Sequence, residues 1–99
     1  MTTCARGEDA DAIACALLNK GLAACIQVVD INSQYIWQGR TTAEPEKLLL
    51  IKTRLSLYPK VEGAILAVHK YEVPEVTCLP IKTGSPSYLG WLADVTISR

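Results

Sequence analysis

The chain has one histidine, and it lies in the stretch richest in chemistry. His69-Lys70-Tyr71-Glu72-Val73-Pro74-Glu75 puts an imidazole, a phenol and two carboxylates within seven residues. An imidazole beside carboxylates can hold a divalent cation or move a proton. His69 is therefore a candidate ligand for copper or zinc. The same residue also suits a helix C-terminus, where positive charge complements the dipole. Glu72 and Glu75 can act as ligands or as a general acid and base. Alternatively, Glu75 can answer Lys52 or Lys70 in an ion pair. Cys4 is a candidate soft ligand for Cu(I). Cys4 with His69 would also make a nucleophilic pair, but no nucleophile elbow or oxyanion loop accompanies them. Lys52 could meet an anionic small molecule or simply face solvent. Gly84-Ser85-Pro86 is turn chemistry and lacks the glycine-rich run of a phosphate loop.

The elements that must position these groups follow from periodicity. Ala10, Ile13, Ala14, Leu17 and Leu18 recur at helical spacing. Glu8, Asp9 and Asp11 crowd the start of that helix, and Lys20-Gly21 closes it. Leu22 to Val29 reads as a strand, interrupted at Asp30-Ile31-Asn32-Ser33 by a bulge or bend. Strand character resumes at Tyr35-Ile36-Trp37, and Gln38-Gly39-Arg40 reads as a hairpin connection. Lys47 to Thr53 is a further strand. Leu57, Val61, Ala64, Ile65 and Val68 mark a second helix, with Ser56 as N-cap and Pro59 in its first turn. The His69–Glu75 stretch then forms a loop, and Val76 to Ile81 a fourth strand. Tyr88, Leu89, Trp91, Leu92 and Val95 suggest a closing helix, with Trp91 as its packing anchor.

Composition excludes several classes. The chain has 99 residues, and its 10 Lys and Arg balance its 10 Asp and Glu. Such a chain has no electrostatic footprint for nucleic acid or an anionic membrane. No apolar run approaches the ~20 residues of a membrane span, and no signal segment opens the sequence. A cytoplasmic, reduced protein is the expectation. The four cysteines form no C-x-x-C pair. Cys15, Cys25 and Cys78 read as packing residues.

The His69–Glu75 stretch resembles the His-Pro-Tyr-Glu-Val-Pro-Glu signature of the CutA family, the divalent-cation tolerance proteins. Further matches run in order along nearly the whole chain. They are Thr3-Cys4, Leu22-Ala23-Ala24-Cys25, Ser33-Gln34-Tyr35-Ile36-Trp37-Gln38-Gly39, Ile51-Lys52-Thr53, Leu79-Pro80-Ile81 and Tyr88-Leu89-Gly90-Trp91. The resemblance implies an α+β, ferredoxin-like β-α-β-β-α-β sandwich with a short C-terminal helix. Only Met1 to Cys4 are available for the first strand, which is therefore short or truncated. The resemblance also implies a homotrimer similar to the PII signalling proteins, and no catalytic activity. Bacterial members are linked to copper tolerance and animal members to acetylcholinesterase anchoring. This sequence departs from the family at three positions. Lys70 replaces the signature proline, Val68 stands where some bacterial members carry a second histidine, and Thr2 stands at their cysteine position.

Residues 1–99 are thus expected to form a single domain of a copper-binding or divalent-cation-binding homotrimer, without an organic cofactor. Its metal would be held by His69, Cys4 and Glu75. A ligand cleft between subunits would be lined by Tyr35, Trp37, Lys52 and Tyr71. The competing expectations are a PII-like small-molecule sensor and a metal-free trimeric scaffold.

Overall fold

A computed structural model of the protein describes residues 1–97. Its elements are β1 (Thr2–Cys4), α1 (Gly7–Leu18), β2 (Cys25–Trp37), β3 (Arg40–Lys52), α2 (Tyr58–Val68) and α3 (Pro86–Val95), with a 3-10 turn at Leu55–Leu57 before α2. The strands form one antiparallel sheet in the order β1-β3-β2. Val76 bridges Thr2 on the other side of β1. This is the α+β, ferredoxin-like arrangement, with the fourth strand reduced to a bridge.

Helix α1 starts with Glu8 and Asp9 in its first turn and buries Ala10, Ile13 and Leu17. Its end is a Schellman motif: Leu22 N–H donates to Leu17 O at 3.0 Å and Gly21 N–H to Leu18 O at 3.1 Å. Gly21 supplies the positive φ of 66° that this ending requires.

β2 and β3 form a hairpin of 13 residues each, joined by Gln38-Gly39. Those residues have φ of 51° and 76°, the backbone of a type I′ turn, whose twist matches the strands. Register is unbroken from Trp37 opposite Arg40 to Cys25 opposite Lys52. The expected interruption at Asp30–Ser33 is therefore absent. Those polar residues stay in the ladder, and Asp30 meets Lys47 directly across it at 2.5 Å. Accordingly, β3 begins at Arg40, well before Lys47. Pro45 lies on the part of β3 that β1 does not reach, where a strand proline is tolerated.

Two other expectations are corrected. Ser56 does not cap α2. It lies inside the 3-10 turn, Leu57 occupies the N-cap, and no side chain caps that helix. Val76 to Ile81 is not a strand. Thr77 exchanges backbone hydrogen bonds with Met1: its N–H donates to Met1 O at 3.0 Å, and the Met1 amine to its carbonyl at 2.7 Å. Beyond Thr77 the segment is unpaired among the described residues.

Alternation along the ladder gives the sheet two unlike faces. Cys4, Leu49, Ile26 and Ile51 share the face covered by α1 and α2, where they meet Ile13, Leu17, Leu57, Val61 and Ile65. Cys4 is thus a core residue, whereas Cys15 and Cys78 are exposed and Cys25 half-buried. This reverses the expected roles, because Cys15 lies off the buried stripe of α1. Trp91 is also exposed, at 44%, and stacks beside Tyr88 with ring centroids 5.6 Å apart.

Leu49 is fully buried at the centre of this core. Leu49→Ala should destabilise the protein by about 2–5 kcal/mol, through lost burial plus a cavity. Denaturant unfolding at fixed protein concentration measures it.

Candidate functional site

The other sheet face is built differently. Thr3 of β1, Ser33, Tyr35 and Trp37 of β2, and Glu46 of β3 share it by alternation. The Tyr71–Glu75 segment lies over this face near Glu46 and closes a groove of about 630 Å³. Glu46, Glu72 and Glu75 line it together with Tyr35, Trp37 and Tyr71. Among the described residues, no Lys, Arg or His lines it.

His69 fixes the loop that closes the groove. It follows α2 in extended conformation, with φ −74° and ψ 138°. Its Nε2 lies 2.7 Å from Thr3 O. A carbonyl only accepts, so Nε2 carries the proton and donates. Tyr71 N–H donates back to Nδ1 at 3.1 Å. Both ring nitrogens are thus engaged with backbone, and the ring joins β1 to the loop. The Tyr71 ring sits 5.0 Å from the imidazole, and its hydroxyl donates to Glu46 Oε2 at 2.6 Å. Lys70, at the family's proline position, reaches back to Asp9 of α1 at 2.9 Å. The Asp9 carboxylate raises the Lys70 pKa.

Within one chain the three residues expected to share a metal do not converge. Cys4 is on the helix-covered face, and Glu75 lines the groove on the opposite one. Burial and nearby Asp9 raise the Cys4 thiol above its ordinary value, which disfavours the thiolate that metals prefer. Its Sγ contacts Arg6 O at 3.6 Å. Glu75 accepts from Thr77 at 3.4 Å and pairs with neither Lys52 nor Lys70. Among the described residues, no group of three His, Cys, Asp or Glu side chains is placed to hold a metal ion.

Of the four expected cleft residues, Tyr35, Trp37 and Tyr71 do meet in the groove. Lys52 does not. It pairs with Cys25 at the far end of the hairpin, ~40 Å from Trp37 at strand rise. There its Nζ donates to Gln27 at 2.8 Å, beside a second, largely apolar groove of about 550 Å³. Residue type alone, a lysine at a strand end, carries no sign of that separation.

Glu46 is the residue that sequence reasoning missed. It is only 7% exposed, and it lies just before Lys47, where the expected strand begins. The one available signal was parity, which places it two residues from Glu44 and three from the buried Leu49. Its neighbour Glu44 accepts the Tyr35 hydroxyl at 2.5 Å, which pushes the Tyr35 pKa up to about 12. Burial, then the bond to Glu46, pushes Tyr71 well above the ordinary 10.0.

The comparisons with known proteins bear directly on this geometry. The family model described as CutA1 divalent ion tolerance protein matches residues 1–95. This chain belongs to that family. A divalent-cation tolerance protein CutA from Thermus thermophilus is 43% identical over 90 residues, covering 90% of this chain and 87% of its own length. Mouse protein CutA is 42% identical over 97% of this chain, which spans only 55% of the mouse protein. The solved Oryza sativa CutA1 structure superposes with TM-score 0.94 at 39% identity, covering 99% of this chain and 91% of that one. The family description speaks of ion tolerance and names no reaction. A solved relative from Archaeoglobus fulgidus is described as periplasmic. Among the described residues, no helix is long and apolar enough to cross a membrane.

Two outcomes follow from the His69–Tyr71–Glu46 chain. His69→Ala should expose the Tyr71 amide and accelerate its hydrogen exchange by roughly tenfold or more. Amide exchange read by NMR checks this. Tyr71 holds its proton more tightly folded than unfolded, so its contribution is intact below pH 10.0 and declines as pH rises through the raised folded value. Stability should therefore fall above about pH 10, and Tyr71→Phe should remove that share of the fall. Denaturant midpoints measured across alkaline pH test it.

Proposed function

We propose that this chain is a cytoplasmic, non-enzymatic divalent-cation tolerance protein. In this reading it assembles as a homotrimer and receives cations, copper among them, in the groove on the open sheet face near a subunit junction. The observation that carries the reading is the groove's charge. Three glutamates line it, and among the described residues no positive side chain does. One of the three, Glu46, is almost fully buried, and a buried carboxylate favours a cationic partner.

Assembly has its own support. Among the described residues, Arg40 to Glu46 of β3 have only β2 as a strand neighbour, so the hairpin extends as a two-stranded arm. Two strands alone are marginal in water. The arm also carries Ile36 at 77% exposed, and Val28, farther along the β2 edge, is 49% exposed. Edge pairing and burial against other copies would satisfy both. In such an assembly, His69 and Cys4 would ligate metal only by giving up the contacts they hold within the chain.

The alternative of a PII-like sensor draws on the groove's size. A volume near 630 Å³ with three aromatic walls suits a small molecule as well as an ion.

Native mass spectrometry with substoichiometric Cu(II) tests the proposal. The expected result is a trimer carrying up to three coppers, with uptake reduced in Glu46→Gln and Glu75→Gln. Loss of uptake in His69→Ala alone, with both glutamine variants unaffected, would move the site to the imidazole. A trimer without specific copper would leave the sensor reading.

A further inference from the structure

The groove's composition says more about its ligand than its charge does. Tyr35, Trp37 and Tyr71 line the same space as Glu46, Glu72 and Glu75. Glu46 is 7% exposed and gives Oε2 to the Tyr71 hydroxyl, while Oε1 has no hydrogen-bond partner among the described residues and is not one of the fully buried atoms. A carboxylate oxygen that is open within a cavity can accept from a ligand donor, and most strongly from a charged one. The carboxylates are not gathered into a metal-holding cluster among the described residues. The volume of about 630 Å³ falls in the range of small-molecule sites and far exceeds one ion. Aromatic faces attract ammonium groups and pack against the carbon chain that carries them.

We propose that the groove takes an organic cation, an aliphatic amine in its ammonium form. This rests on the reading that the groove receives cations and names a second class of them. The ammonium donates to Glu46 Oε1, with Glu72 and Glu75 adding negative potential at the mouth. The methylene chain lies against Trp37 and Tyr35. A neutral molecule of equal size gains the packing but leaves the Glu46 oxygen without a charged donor, so charge decides selection.

Titration of the full-length native assembly with 1,4-diaminobutane, followed at the Trp37 indole N–H by NMR, tests this. The neutral 1,4-butanediol is the control, and Zn(II) is titrated in parallel. The expected result is a saturable shift of Trp37 with the diamine, little with the diol, and affinity roughly tenfold weaker in Glu46→Gln. Glu75→Gln, at an exposed position, should also weaken binding and decides the matter if Glu46→Gln fails to fold. Equal response to diol and diamine, or diamine binding indifferent to both variants, overturns the proposal. A Zn(II) response without a diamine response overturns it while leaving the cation reading intact. Silence to both ligands overturns the two together.

Discussion

Two long strands held in one register govern every other position in the molecule. Antiparallel pairing has a period of two, so parity along β3 decides which residues face the helices. Leu49 and Ile51 go to the core and Glu46 goes to the groove. A slip of one residue would bury Glu46 under α1 and α2 and send Leu49 to water. The Gln38-Gly39 turn prevents this, because its positive φ values accept only one loop length. The helices then need only cover one face near β1, and the loop after α2 crosses to the other.

How much was legible in the sequence depended on whether the signal was local. The apolar stripes of α1 and α2 repeat every three or four residues, and both helices lie where that spacing put them. The hairpin turn was visible in Gln38-Gly39. Asp30 to Ser33 and Thr41 to Glu46 were not legible as strand, because the helices cover neither face of the arm and so no alternation of apolar residues is needed. The fourth strand failed for the opposite reason. Val76 to Ile81 has strand-like residues, but β1 offers only a short partner. Strand pairing depends on a neighbour that no local pattern reports.

The candidate site divides the same way. Three of its aromatics were found from motif spacing, and the loop through its own density of chemistry. By residue type His69 suits both a metal ligand and a helix C-terminus; it is the C-cap of α2, and its ring partners are the main-chain groups of Thr3 and Tyr71. Backbone partners leave no trace in residue types. Lys52 and Glu46 show the cost of judging distance along the chain. Lys52 resembled a groove residue and lies at the other end of the sheet. Glu46 drew no notice in the sequence and is buried beside Tyr71.

The same topology sets an order of assembly in time. Hairpin partners are separated by as few as 3 residues at Trp37 and Arg40 and at most 27 at Cys25 and Lys52. Pairs that close in small steps zip quickly, whereas β1 must cross to Leu49 and hold Val76 from the far end of the chain. We expect the arm to form early and β1 to dock late. His69 can bind Thr3 only once β1 is in place, so the loop and its groove come last. A chain stalled before that step would keep its hairpin and lack any binding surface.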